Sequence, residues 1–249
     1  MKKVLLFVVL FLLLQTAMAV EKPDVLSRTG WGCPDGNESP SWTQQYANVT
    51  HVIIHHTATP NTDTDWAARV LSIWNYHTYD NGWGDVGYNY LIDPNGIIYE
   101  GRAGGDDVVG GHASGHNTGT MGVAFIGTFS DTEPTDAALD SAESLLAWKL
   151  SQNGISPLEN STDYAGSNYA NIAGHQDVSA TECPGEDLYS LLPTIRQDVY
   201  EIIQGCPAGD ADCDGAVSDF ELLSYIDTWA VGGASDFELL AAIESWANQ

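Results

Sequence analysis

Apolar and polar positions alternate along the chain in a way that divides it into strands and helices, followed by a duplicated tail. His51 to His55 (HVIIH) is a short β-branched apolar run and predicts a buried strand. Residues 66–79 carry Trp66, Val70, Ile73, Trp74 and His77 at helical spacing, after cap candidates at 61–65. Tyr88 to Ile92 and Ile97 to Glu100 read as two strands joined by Asp93-Pro94-Asn95-Gly96, whose Pro and Gly stand where a tight turn needs them. Met121 to Thr128 is continuously apolar, the pattern of a central strand.

Helix periodicity returns over residues 133–153, with Pro134 in the first turn, Leu139, Ala142, Leu145, Leu146 and Leu150 on one face, and Gly154 as terminator. Residues 155–170 are polar and loop-like. A short strand or loop starts at 172–175. A last helix covers 185–204 and presents Leu188, Leu191, Leu192, Ile195, Val199 and Ile202. Residues 20–50, rich in Pro, Gly, Ser and Asn, read as an extended lead-in. This order of elements predicts a mixed α/β layer domain of roughly 180 residues.

The character changes after Gly205-Cys206-Pro207-Ala208-Gly209. The segment Ser218-Asp219-Phe220-Glu221-Leu222-Leu223, with Ile226, Trp229 and Ala230, recurs 17 residues later from Ser235 to Ala247. Such a duplication predicts two helices sharing one small core. The opposite end is also distinct. Lys2 and Lys3 precede an apolar run from Val4 to Leu14, and Ala17-Met18-Ala19 has the small-x-small form of a cleavage site. This predicts a signal peptide at 1–19, a secreted chain with no membrane span once it is removed, and surface tethering through the tail. The domains expected are therefore 1–19, 20–206 and 207–249.

Charge narrows the partners. The 249 residues hold 8 Lys+Arg against 34 Asp+Glu, a formal net charge of −26. Nothing in such a chain can neutralise a run of phosphates, so a nucleic-acid partner is excluded. Hydrophobic residues make up 43%, enough for an ordinary core.

His55, at a strand end, His175 and Cys183 form the chemistry-bearing set. Two imidazoles and a thiolate suit a tetrahedral zinc ion with its fourth position open to water, the catalytic pattern. If Cys183 ligates metal, Cys33, Cys206 and Cys213 remain. Cys206 can then pair with Cys213 or with Cys33, and the sequence leaves both open.

The stretches HVIIHHTAT (51–59), GWGDVGYNYLIDPNG (82–96), YEGR (99–102), GTMGVAFIGTF (119–129) and GHQDVSATECPG (174–185) occur together and in order. This set resembles the peptidoglycan recognition protein family and the related N-acetylmuramoyl-L-alanine amidases, over about residues 25–204. The resemblance implies a mixed central β-sheet flanked by helices. It implies zinc ligands at His55, His175 and Cys183, and catalytic positions at Tyr88 and Thr181. His56, His77, Asn89, Arg102 and His112 fall in segments that line the family's substrate groove. The implied reaction is zinc-dependent hydrolysis of the lactyl–L-alanine amide of peptidoglycan. The alternative is a recognition protein that binds peptidoglycan or muropeptides without cutting them; such members often lack the cysteine, which is present here. After YEGR many members continue Gly-Trp. This chain continues Ala103-Gly104-Gly105, so stem-peptide preference does not carry over.

In the tail, Asp210, Asp212, Asp214, Gly215 and Glu221 match positions 1, 3, 5, 6 and 12 of a calcium loop. Ala216 stands at position 7, where a backbone carbonyl serves, and Ser218 at position 9. The corresponding loop of the second repeat has Trp229 and Val231 where acids belong. A small all-α module with two such repeats resembles a dockerin, which implies structural calcium and a cohesin-like or surface scaffold partner.

Overall fold

A computed structural model describes residues 20–34, 41–205, 217–230 and 236–247. The signal-peptide segment, Cys206 and Cys213, and Asp210, Asp212, Asp214 and Ala216 of the calcium loop lie outside the described residues.

The elements follow the predicted order. They are β1 (Val25–Leu26), β2 (His51–His56), α1 (Trp66–Asn75), β3 (Tyr90–Ile92), β4 (Ile98–Glu100), β5 (Thr120–Phe125), α2 (Asp136–Asn153), β6 (Asn160–Thr162), β7 (Asn168–Ala170), β8 (Ile172–Gly174), α3 (Glu186–Ser190) and α4 (Leu192–Gln204). In the tail, α5 (Asp219–Ala230) and α6 (Asp236–Ala247) start 17 residues apart, as the sequence repeat requires. The main sheet runs β1-β4-β3-β5-β2-β8. β2 lies parallel to both neighbours, β5 and β8, and the β3–β4 pair is antiparallel.

Side chains of β2 alternate between two faces. Val52 and Ile54 face the larger core, packed with α2 and α4 through Leu145, Leu146, Leu192, Ile195 and Val199. On the other side of the sheet, Leu91 and Ala124 pack with Trp66, Val70, Ile73 and Trp74 of α1. α1 begins on the side chain of Asp65, which accepts from the Ala68 N–H at 3.0 Å. The β3–β4 turn is held by Asp93, whose Oδ1 accepts from the N–H groups of Asn95 and Ile97 at 2.8 and 3.0 Å.

Several boundaries differ from the periodic reading, each for a local reason. The helix expected over 66–79 is α-helical only to Asn75 and closes in a π-turn over Tyr76–Asp80. α2 starts at Asp136, because the Thr135 hydroxyl caps it and leaves Pro134 outside. The last helix is broken after Ser190, since Pro193 has no N–H to give to the carbonyl four residues back. Ile203 then packs on the core and Ile202 is exposed. The polar stretch 155–170 contains the β6–β7 hairpin, and the lead-in supplies β1, parallel to β4.

One buried ion pair ties the lead-in to the sheet. Arg28 and Asp85 are both fully buried, with Arg28 Nη1 donating to Asp85 Oδ1 at 3.1 Å. Asp85 also accepts from the N–H groups of Val86 (2.8 Å) and Ala103 (2.9 Å), and Arg28 donates to the Gly101 carbonyl. Removing one partner leaves the other charge buried without its ion-pair partner. Asp85→Ala is therefore expected to cost about 3–5 kcal/mol of stability. Urea unfolding followed by tryptophan fluorescence reads this directly, and a loss below about 1 kcal/mol would show the pair to be dispensable.

Candidate metal centre and cleft

Parallel pairing places the carboxyl ends of β2, β5 and β8 together, the edge where open α/β sheets build their sites. His55 sits at the end of β2, and His175 opens a 3-10 turn directly after β8. Cys183 follows on the next loop. Ligand atoms of His55, His175 and Cys183 all lie within 4.8 Å of one another. The His55 Nδ1 to Cys183 Sγ separation is 3.6 Å. Zinc bonds of about 2.0–2.1 Å to nitrogen and 2.3 Å to sulfur, at the tetrahedral angle, set an N···S edge of roughly 3.6 Å. The donor set therefore fits a tetrahedral zinc ion with one position left for water.

The centre is electrically neutral without a metal. Burial holds the His55 imidazole well below its ordinary range, and the neighbouring histidines push in the same direction. His175 is lowered by burial as well. Burial raises the Cys183 thiol to about 11, against a smaller opposing effect from the His56 backbone N–H, which reaches its sulfur at 3.4 Å. At neutral pH the two ligating imidazoles are thus unprotonated, while the thiol carries a proton.

Two clefts flank the centre. The first, about 640 Å³, is lined on the α1 side by Arg69, Tyr76, His77, Tyr79 and Tyr88, and opposite by Thr57 to Thr59. The second, about 650 Å³, is lined by Trp83, Arg102, His112, Asn117, His175 and Thr181.

Among the residues singled out in sequence, Tyr88 stands with its ring 5.2 Å from that of His55. Burial, and then the nearby Cys183, push its phenol far above its ordinary range, so it remains a hydrogen-bond donor. The Thr181 oxygen accepts from the Cys183 N–H at 3.2 Å, which leaves its hydroxyl proton free to point into the second cleft. His77 accepts from the Gly87 N–H at 3.1 Å and packs beside Trp83, with burial lowering it to about 4.

Arg102 lies over the Trp42 ring at 3.7 Å and donates from Nη1 to the Val86 carbonyl, while its buried Nε has no hydrogen-bond partner. His56 points to the opposite face of β2 from His55, and its Nδ1 accepts from the Phe129 N–H at 3.4 Å. Asn89 is used within the fold: its Oδ1 accepts from the Gly122 N–H and its Nδ2 donates to the Val108 carbonyl, both at 2.8 Å. Sequence reasoning missed Trp83 as a wall of the second cleft and Trp42 as the ring beneath Arg102. Trp83 stood inside the GWGDVGYN stretch, whereas Trp42 carried no motif.

In the tail, Ser218 and Glu221 bond to each other. Glu221 Oε2 accepts from the Ser218 N–H and hydroxyl at 2.9 and 2.7 Å, and the Glu221 N–H donates back to Ser218 Oγ at 3.3 Å. This is a capping box at the start of α5. The Trp246 indole N–H donates to Asp219 Oδ1 at 2.7 Å and joins α6 to α5.

Comparison with known proteins adds the family. A family model described as N-acetylmuramoyl-L-alanine amidase matches residues 45–186. Peptidoglycan-recognition protein SC2 of Drosophila simulans is 33% identical over 195 residues, covering 78% of this chain and 95% of that protein. An N-acetylmuramoyl-L-alanine amidase of Homo sapiens is 35% identical over 176 residues, 69% of this chain and 28% of that protein. Among solved structures, peptidoglycan recognition protein-LE in complex with tracheal cytotoxin is 29% identical with a TM-score of 0.57, over 68% of this chain and 92% of that one.

The protonation states set how zinc uptake depends on pH. Thiolate ligation must displace the Cys183 proton, whereas the neutral imidazoles release none. Below the thiol value, each fall of one pH unit adds tenfold proton competition. Apparent zinc affinity is thus expected to rise about tenfold per pH unit between roughly pH 6.5 and 8.5. Chelator competition at several pH values measures the slope, and a flat profile would exclude the protonated thiol.

Proposed function

The chain belongs to the N-acetylmuramoyl-L-alanine amidase family, and from that premise we propose that it is a zinc-dependent amidase acting on peptidoglycan. The bond cleaved is the amide between the lactyl group of N-acetylmuramic acid and the L-alanine of the stem peptide. The observation that carries this reading is the convergence of His55, His175 and Cys183, with an N···S separation suited to zinc. The tracheal cytotoxin complex of peptidoglycan recognition protein-LE supports the ligand class.

Zinc, when bound, supplies an activated water and polarises the scissile carbonyl. The protein's own groups do the rest. Tyr88, kept protonated by burial, donates a hydrogen bond to the oxygen on which charge develops. The Thr181 hydroxyl, with its lone pair on the Cys183 N–H, donates from the opposite wall. The clefts on either side give the substrate two arms of room, one for sugar and one for peptide.

Secretion of the chain after cleavage at Ala19, calcium binding by the 210–221 loop, and docking of the tail to a cohesin-like partner are parts of the same proposal. They rest on sequence patterns alone.

Incubation of the zinc-loaded protein with purified muropeptides is expected to release peptides with a free L-alanine N-terminus. Cys183→Ser should abolish both zinc retention and cleavage. Tyr88→Phe, which removes one hydroxyl, should retain zinc and lower kcat by about 10²–10³. Tight muropeptide binding without any cleavage by the zinc-loaded wild type would refute the amidase reading and leave a recognition protein. Calcium titration of the full chain should show one site, lost in Asp212→Asn/Asp214→Asn; heat signals identical in the two proteins would remove the calcium loop.

A further inference from the structure

Only the Nδ1 side of the His55 ring faces Cys183, at 3.6 Å; its Nε2 faces inward and meets Nδ1 of His112 at 2.9 Å. A hydrogen bond between two ring nitrogens holds one proton, and which ring owns it decides whether His55 Nδ1 carries a lone pair or a hydrogen. A metal ligand needs the lone pair.

The hydrogen bonds around His112 answer the question. Thr120 Oγ1 lies 2.6 Å from the His116 carbonyl and 3.2 Å from the Asn117 carbonyl. Carbonyls only accept, so the single hydroxyl proton of Thr120 points toward them. The Thr120 oxygen therefore offers a lone pair to His112 Nε2, 3.3 Å away. His112 Nε2 is thus the protonated nitrogen and Nδ1 the bare one. His55 must then supply the proton of the 2.9 Å bond from Nε2, which leaves its Nδ1 free.

The His112 ring stands where side chains on two glycines would otherwise be. A Cβ on Gly122 would stand 2.4 Å from His112 Cγ, and one on Gly110 would stand 2.5 Å from Cδ2. Gly122 pairs with Ile53 in the β2–β5 register, so it lies on the same face of the sheet as His55. The missing side chain on β5 forms the slot in which His112 stands behind His55.

We propose that His112 is a positioning residue, set by Thr120, which locks His55 in the Nε2–H tautomer and so aims the Nδ1 lone pair at the metal. The role goes beyond lining the substrate cleft, because both His112 ring nitrogens are engaged inside the protein. Its consequence for zinc rests on the metal-centre reading, whereas the tautomer itself follows from the hydrogen bonds.

The test separates the two. Long-range ¹H–¹⁵N correlation spectra of the zinc-free, histidine-labelled protein near pH 7.5 should show His55 and His112 both protonated at Nε2 and bare at Nδ1. His112→Leu removes the acceptor, and His55 should then show mixed tautomers. Zinc affinity by chelator competition should fall about 10–100-fold in that variant, the usual effect of losing a partner behind a metal ligand. His112→Asn, whose side-chain oxygen can accept from His55 Nε2, should restore the tautomer and most of the affinity. A wild-type His55 protonated at Nδ1, or an unchanged His55 signature in His112→Leu, would overturn the proposal. Wild-type protein with the expected tautomers but no zinc affinity would instead refute the metal centre and leave the tautomer lock standing.

Discussion

Parallel pairing of β2 with β5 and β8 is the constraint on which the rest of the molecule depends. A one-residue slip of β2 would exchange its two faces, send His55 into the α2/α4 core and bring Ile54 to the cleft. The apolar side chains resist that slip. Val52 and Ile54 are completely buried against α2 and α4, and about 1.5–3 kcal/mol accompanies burial of each such side chain. The core thus fixes the register, and the register fixes which histidine reaches the metal centre. Once β2 is set, β8 delivers His175 to the same edge and the following loop brings back Cys183. Each proposed ligand comes from a different segment, with His55 on β2 itself and His175 and Cys183 on the turn and loop that follow β8 at the same sheet edge.

The sequence made this edge legible to differing degrees. The strand 51–55 and the 121–128 run stood out because parallel central strands are apolar throughout. β6 and β7, a separate two-stranded hairpin of mostly polar residues, carry no such signal, and the hairpin was invisible as a polar stretch. Tail helices followed from the repeat alone, since duplication is visible without any structure. The proposed zinc ligands were visible as residue types, but a His and a Cys eight positions apart have no diagnostic spacing; only the ordered motifs picked them out. Asn89 and His112 show a different limit. Motif membership placed both in the segments of the substrate groove, but did not show that Asn89 would also hold the backbone of β5 or that His112 would also bond His55. Sequence records which residues gather near a cleft. It does not record which way their polar atoms turn.

The excess of acid over base reads differently once the cations are located. Beyond residues 1–19 there are six Lys and Arg side chains, and each has a defined structural partner. Arg28 meets Asp85 in the core, Arg69 meets Asp63 ahead of α1, and Lys22 meets Asp106. Lys149, buried in α2, reaches Asp107 at 2.6 Å, and Arg196 donates to the Ile172 carbonyl at the end of the sheet. Arg102, which lines the second cleft, lies over the Trp42 ring. Lys22 and Lys149 bind the adjacent Asp106 and Asp107, in the stretch where the chain departs from the family's Gly-Trp. Those two pairs tie that stretch to the lead-in and to α2.

A metal centre of the kind proposed must be stable both empty and loaded, and the two demands conflict. Empty, a buried charged ligand would be costly; loaded, the thiolate must be charged. The chain meets the first demand by keeping the imidazoles neutral and the thiol protonated, with burial as the main cause in each case. Meeting the second requires that no further reorganisation be needed when the thiol proton leaves. The His56 backbone N–H, already directed at the Cys183 sulfur, stabilises the thiolate as it forms. His55 has its inward nitrogen tied to His112 before the metal arrives. Loading the proposed centre would then release the thiol proton to solvent, with His55 already oriented. That follows from β2 alternation, a glycine on β5 and a backbone amide at the strand end, features set by the fold before any chemistry begins.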